Sequence, residues 1–507
     1  MTSTFHGLET ARRGMVTQQA ALYVTGHNIA NTNTPGYSRQ RVNFETTIPF
    51  PGVGMNAPKI PGHLGTGVTA GSIQRIRDEF ADRQYRDENN KFGYWNSRAE
   101  SLARMEEIMH EPSTEGLTAS LDEFWKKLQD LAGSPDNTGA RDIVLMQGQA
   151  VADSFKYISD SLNTVRDNLK SEIDLTKSTI NSIAAQINGL NRQIGEIEPN
   201  GYVPNDLYDE RDRLVDQLSE LVNVKITVNL SGGNRDEIAI GKYTIDILDN
   251  NGTPIANLVD GVNYTANEID YTTNANGYVD GITFVNAPGT THPIDSFSNG
   301  KLKGLIDSYG YVDNAGNEVG EYPNTLENLD KLALAFVNEF NAVHRNGSGL
   351  NGSTGLDFFT PIANQKGAAA NIKVAITDKN DIAASDITKG PGDGSNAYKL
   401  SEVITKDFGS YISTPSAGLS GSVKDFYTGM IGTLGVAARE TNLRLSQVNY
   451  TKESVEFRRQ SVMAVSLDEE MTNIIKFQHA YNAAARNITI IDEMLDKIVN
   501  GLGTGGR

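Results

Sequence analysis

Between Arg141 and Glu198 the sequence has no proline, and one face stays apolar from end to end. Val151, Phe155, Ile158, Leu162, Val165, Leu169, Ile173, Thr176, Ile180, Ile183, Ile187, Leu190, Ile194 and Ile197 follow one another at helical steps of three and four. A strand repeats its faces every second residue, so this period predicts one continuous α-helix. Two successive steps of four meet at Leu169, a stutter that locally unwinds a supercoil. At about 1.5 Å per residue the helix spans roughly 85 Å. That is a rod, and a rod of this length serves as a spacer or as part of a filament.

The rest of the chain is organised around it. With 507 residues, two to four domains are expected. Shorter helices are predicted at about 84–110, 116–132, 206–222 and 425–463. From about residue 224 the pattern changes: "VKITVNL", "EIAIGKYTIDIL" and "GITFV" are β-branched runs between "SGG", "DNNG" and "APG", which read as strands with tight turns. Residues 302–310 and 325–344 read as helix again, "NIKVAITD" as strand and "KGPGDGSNA" as loop. The expected fold is α+β, elongated and multidomain. Its first and last thirds form a helical coiled-coil-like rod, and a β-rich head is inserted between them.

Both termini carry heptad stripes. Leu8, Met15, Leu22 and Ile29 lie seven apart behind Phe5, with Gln18, Gln19 and Thr25 making the remainder of the seam polar. At the other end Ile474, Tyr481, Ile488 and Leu495 repeat at the same interval, Met471, Ala485 and Val499 take the alternate positions, and Ser466 with Glu469 fits a capping box. Gln478 and Asp492 interrupt that seam. Such stripes ordinarily pack on a protein's own core. Here the first is followed by the turn-rich "PGVGMNAPKIPGHLGTGV", with little to pack on, and the last only by "GLGTGGR". Two helices so placed would pair with each other and with copies of themselves.

The search for chemistry returns little. A net charge of −18 argues against nucleic acid or anionic lipid as a partner, since phosphate selects Lys and Arg. The absence of cysteine removes disulfides, thiolate metal sites and cysteine nucleophiles. No apolar run is long enough for a membrane span, and no cleavable signal is visible. Histidines at 6, 27, 63, 110, 292, 344 and 479 show no metal spacing. Gly501, Gly503 and Gly506 match a dinucleotide fingerprint in letters alone, without strand or helix around it. In "PNDLYDERDRLVDQL" the acids read as an N-terminal helix cap by Asn205 or Asp206, balanced by Arg211 and Arg213. Neither a catalytic centre nor a cofactor or metal is expected.

"NIANTNTPGYSRQ" ends the first helix. Pro35 and Gly36 suit the central positions of a type II turn, and Asn28, Asn31 and Asn33 can cap carbonyls or enter the left-handed region. With Tyr37 behind it, the segment is a joint that redirects the chain into an extended arm.

That joint resembles the N-terminal signature of the bacterial flagellar rod, hook and hook-associated axial proteins. "SLDEEMTNIIKFQHAYNAAARNITIIDEML" resembles their C-terminal signature. The internal segments "GTGVTAGSIQRIRDEFADRQYR", "NDLYDERDRLVDQLSELV", "GKLKGLIDSYG", "LDKLALAFVNEFNAVHRNGSGLNGSTGLDFF" and "GDGSNAYKL" are similar to those of the members that form the hook–filament junction. The resemblance implies a non-enzymatic structural adaptor of the flagellum, exported unfolded through the type III channel without a cleaved signal. It also implies self-association in a helical ring, with hook protein below and the filament-side junction protein (hook-associated protein 3) above. A cytosolic export chaperone is expected to cover the C-terminal helix beforehand. On this reading residues 1–64 with 464–507 are the axial core, disordered in the monomer. Residues 65–223 with 425–463 are the long-helix rod, and 224–424 are the head, including helices at 302–344. Rival readings are hook protein, which would lack the 141–198 rod, flagellin, which would lack the "NTPGY" joint, and a secreted adhesin or enzyme on a coiled-coil stalk.

Overall fold

The computed structural model describes residues 5–51, 55, 62–109, 116–285, 291–411 and 419–501. His110 and the tail glycines Gly503 and Gly506 lie outside these residues.

The helices are α1 (Phe5–Ala30), α2 (Glu79–Ile108), α3 (Leu117–Gly133), α4 (Thr138–Ile197), α5 (Asn205–Leu221), α6 (Lys301–Tyr309), α7 (Glu321–Arg345), α8 (Ala368–Asn371), α9 (Ser395–Thr405), α10 (Val423–Met463) and α11 (Leu467–Gly501). The longer strands are β1 (Gln40–Thr46), β2 (Val68–Arg75), β3 (Val224–Asn229), β4 (Lys242–Leu248) and β5 (Pro254–Asp260), followed by β6 (Thr265–Ala266), β7 (Ile269–Thr273) and β8 (Val279–Phe284).

α4 is a single helix of 60 residues, about 90 Å long. It starts where the Asn137 side chain accepts the backbone N–H groups of Gly139 and Ala140. Its periodic face is buried at Val151, Phe155, Leu162, Leu169, Ile173, Ile180, Ile187 and Ile194. The rod does not stand free, because that face is filled by the same chain. Along the N-terminal half, Phe155 stacks on Phe336 of α7 at 6.3 Å. Phe124 of α3 packs on Phe340 at 5.4 Å.

Along the C-terminal half α4 meets strands. A helix has no free backbone groups for a strand, so asparagine side chains make the bonds. Asn181 bonds both the N–H and C=O of Ile269. Asn191 does the same for Tyr243, and Asn188 donates to the carbonyl of Tyr264.

The strand-rich insertion holds a four-stranded antiparallel sheet, β3-β4-β5-β6. In a second sheet β8 pairs antiparallel with β7 and parallel with the short strand Tyr311–Val312. One hydrophobic cluster runs through α2–α7, both sheets, α9 and α10, so inserted segment and rod share a core. The expected strand "NIKVAITD" is corrected: it contributes only an isolated bridge between Phe359 and Val374.

The turn-rich stretch 51–68, expected to have little to pack on, lies outside the described residues at 52–54 and 56–61; the segments that flank it, β1 and β2, pair as an antiparallel hairpin. The hairpin covers α1, where Thr17 donates to the carbonyl of Val68 at 3.1 Å. The N- and C-terminal helical arms meet chiefly where α1 lies against α11 and α2 against α10.

Candidate assembly surface

α1 and α11 run antiparallel, and small residues lie along their contact. A Cβ built on Gly7 would lie 3.2 Å from Ile491, and one on Gly14 would lie 4.0 Å from Ala484. The same register puts Asn28 beside Glu470, and there the Asn28 amide donates to the Glu470 carboxylate at 3.2 Å. The seam therefore holds Gly7, Gly14, Ala21 and Asn28, one position before the predicted stripe. Leu8, Met15, Leu22 and Ile29 flank it and are half-buried, while the fully buried residues of α1 are Thr17, Ala21, Thr25 and Asn28.

On α11, Ile474, Tyr481, Ile488 and Leu495 are half-buried on the inner side. Met471 is 53% exposed and Phe5 60%, so these two lie off the seam. From Met471 to Asn500 no side chain is fully buried. Val16, Tyr23, Ile475, Ile490 and Met494 point outward as large exposed apolar residues, which the stripe search missed. Their signal in the sequence is a second apolar ridge beside the first, as at Val16 and Tyr23, seven apart.

At the joint, Gly36 has φ +81° and the Tyr37 N–H bonds the carbonyl of Thr34 at 3.2 Å, closing the turn around Pro35. None of Asn28, Asn31 and Asn33 enters the left-handed region. Asn31 instead donates to the carbonyl of His27 and accepts from the Thr34 hydroxyl. Asn28 is a buried clamp. It donates to the Gln40 carbonyl at 2.9 Å, and it accepts from the Gln40 N–H at 3.0 Å and the Tyr37 hydroxyl at 2.8 Å. Glu469 and Glu470, the former expected in a capping box, both bind Arg39, at 2.5 and 2.7 Å. Burial and the nearby carboxylates of Asp206, Asp209 and Glu470 push the Tyr37 phenol up, so it stays a hydrogen-bond donor.

Beneath the joint lies a buried ionic cluster. The acids of α5 were expected to balance Arg211 and Arg213, and a helix cap was expected from Asn205 or Asp206. Arg213 does pair with Glu210, at 2.5 Å, while the structure corrects the cap and the pairing of Arg211. Pro204 occupies the cap position with no side-chain bond. Asp209 accepts from the Ser38 N–H, the Ser38 hydroxyl and Arg75. Asp212 meets Arg75 at 3.0 Å, Arg77 at 3.2 Å and Arg86 at 3.4 Å. Asp216 binds Arg86 at 2.7 Å and Arg459 at 2.6 Å. Burial alone would raise the Asp212 carboxyl, but Arg77, Arg75 and Arg86 outweigh it and hold it well below the usual range. Arg211 turns away, donating to the Gly241 carbonyl and lying over the Tyr243 ring at 3.4 Å. Joint, hairpin, α2, α5 and α10 are thus tied by charge-assisted bonds. Among the described residues no cluster of His, Asp and Glu could hold a metal.

The comparisons with known proteins agree with this geometry. Residues 102–359 match the family model described as the flagellar hook-associated protein FlgK helical domain. Residues 8–37 match the flagella basal body rod protein model, and 461–501 the flagellar basal body rod FlgEFG protein C-terminal model. The chain is similar to flagellar hook-associated protein 1 of Bacillus subtilis, at 45% identity over 100% of both chains. It is similar to the protein of the same name from Escherichia coli at 23%, over 97% of this chain and 99% of that one. The structure titled as the flagellar hook junction protein FlgK from Burkholderia pseudomallei superposes with a TM-score of 0.58 at 15% identity, covering 75% of this chain and 100% of that one. With a full-length relative at that identity and terminal matches that fall on α1 and α11, the chain belongs to the flagellar hook-associated protein 1 family.

Proposed function

We propose that the chain carries out its structural role at the hook–filament junction through the α1/α11 pair, an interface that neighbouring subunits complete. As a flagellar axial protein it assembles with copies of itself and with hook and junction partners. On this reading α1 and α11 build the inner axial layer, with hook protein below and hook-associated protein 3 above. The observation that carries the reading is the incomplete burial of α11 between Met471 and Asn500. Full burial of a large apolar side chain is worth about 1.5–3 kcal/mol, and these residues realise only part of it within one chain. The termini are then the least stable part of the monomer, and assembly supplies what they lack.

Before assembly the same surface needs a cover, which fits a cytosolic export chaperone on the inner face of Ile474, Tyr481, Ile488 and Leu495. Export without a cleaved signal follows from the same reading. Deleting the gene should give hooks without filaments, with flagellin lost to the medium. Complementation with Met15→Asp, Leu22→Asp and Ile488→Asp together should not restore filaments. Normal filaments in the deletion strain would end the junction role, and full rescue by the triple variant would end the role of the terminal pair.

A further inference from the structure

α10 has two faces. Leu434, Ala438, Thr441, Val455 and Arg459 are buried, and the helix packs along α2 on that side. Away from it, Val436, Leu443, Tyr450 and Phe457 recur every seven residues and are 67, 62, 77 and 77% exposed. Single exposed apolar residues are ordinary, but large ones repeated at one heptad position form a continuous ridge. The ridge runs for roughly 30 Å along the helix. A seven-residue repeat drifts about 20° per heptad on a straight helix, so what covers it best is another helix wound left-handedly against it.

Two features identify the source of that helix. The exposed charges beside the ridge are Arg439, Arg444 and Arg458 against Glu440 and Glu453, a slight positive excess on a chain of net charge −18. That strip is complementary to the acidic surface of another copy. The ridge is also continuous in sequence with the axial surface, since α10 ends at Met463 and α11 begins at Leu467. Met471, in the second turn of α11, is again exposed. A neighbour seated on the outer side of α11 is therefore carried toward α10.

We infer that Val436, Leu443, Tyr450 and Phe457 form a lateral contact covered by a helix of an adjacent copy of this chain. The inference rests on the self-association of the axial layer and extends it from the terminal helices to the rod. In a ring of identical subunits such a contact is heterologous, so a different face of the neighbour covers the ridge.

The absence of native cysteine makes the test direct. Tyr450→Cys and, separately, Ile475→Cys are labelled with a benzophenone maleimide, allowed to assemble into flagella and illuminated. A covalent dimer of this chain from position 450 is expected. A dimer from position 475 alone overturns the α10 contact and leaves the terminal surface standing. Failure at both positions overturns both, and capture of a different flagellar protein at 450 overturns the assignment to a second copy. As a second arm, Leu443→Glu with Tyr450→Glu should leave the melting of the monomer unchanged, because both residues are exposed, while incorporation falls about tenfold. Unchanged incorporation overturns the contact.

Discussion

Asn28 and Glu470 lie 442 positions apart in the chain, and their side chains meet in a hydrogen bond of 3.2 Å. Both are almost wholly buried, at 1 and 2% exposure. Around this bond the end of α1, the start of β1 and the start of α11 become one unit. The joint therefore ties α1 and α11 to the hairpin at one point.

Asn28→Ala should loosen that unit. It leaves the Gln40 N–H, the Tyr37 hydroxyl and the Glu470 carboxylate without their shared partner. A loss of about 3 kcal/mol is expected locally, read as faster hydrogen exchange of the Gln40 amide. Asn28→Asp should be no better, since it removes both donated bonds and sets a carboxylate against Glu470. An unchanged exchange rate in either variant would remove Asn28 from its place as clamp.

The ionic cluster should show the asymmetry between buried and exposed pairs. Asp212→Ala removes the buried carboxylate that Arg75, Arg77 and Arg86 share, leaving them only Asp209, Asp82 and Asp216, and should cost about 3 kcal/mol. Glu210→Ala breaks a pair with Arg213 whose side chains are 44 and 34% exposed, and should cost no more than about 0.5 kcal/mol. Urea unfolding of the two variants side by side measures the difference.

Acid should weaken the fold in two stages. His344 donates from Nδ1 to the Leu356 carbonyl at 2.7 Å and accepts the Ala383 N–H at Nε2, 3.0 Å away. Burial lowers its pKa from the usual 6.5, so the folded chain resists a proton that the unfolded chain accepts. Its contribution is complete above about pH 6.5 and declines below, by at most about 1.4 kcal/mol per pH unit. Asp212 is also lowered, from 3.8, so its contribution holds above that value and is lost only at more acid pH. Urea midpoints between pH 7 and 5 should fall in the parent chain and stay nearly flat in His344→Gln. A matching fall in the variant would place the early stage elsewhere.

What the sequence made legible followed from how far each signal reaches. The α4 helix is written in local periodicity, and the Thr34–Tyr37 turn in two adjacent residues. The α1 seam was displaced by one position because a search for apolar side chains passes over glycine. Gly7 and Gly14 face α11, and Leu8 and Met15 fill the flanks. The ionic cluster was out of reach: Arg75 and Asp209 are 134 residues apart, and either one alone reads as a solvated charge. The segment "NIKVAITD" has strand composition but few neighbours. Among the described residues Phe358–Thr360 runs beside it, with bonds from Thr360 to Lys373 and from Ala375 to Phe358. Composition proposes a strand, and an available edge decides it.

Two helical glycines should respond in opposite ways to the same change. In an α-helix Gly→Ala gains about 1 kcal/mol from propensity alone, provided the methyl has room. At Gly14 it has room, since the nearest atom outside the local backbone is the Ala484 Cβ at 4.0 Å. Gly14→Ala should therefore stabilise α1 and leave its pairing with α11 intact. At Gly93 of α2 a Cβ would stand 2.1 Å from the Glu220 carbonyl oxygen, a backbone atom that cannot swing aside. Gly93→Ala must push α5 off α2, breaking the bonds from Asn89 and Asn90 to the backbone of Asp216 and Ser219. A loss of about 3 kcal/mol is expected, and melting curves of the two variants should shift to opposite sides of the parent. If Gly93→Ala melted with or above the parent, the close approach of α2 and α5 would not be what fixes the ionic cluster between them.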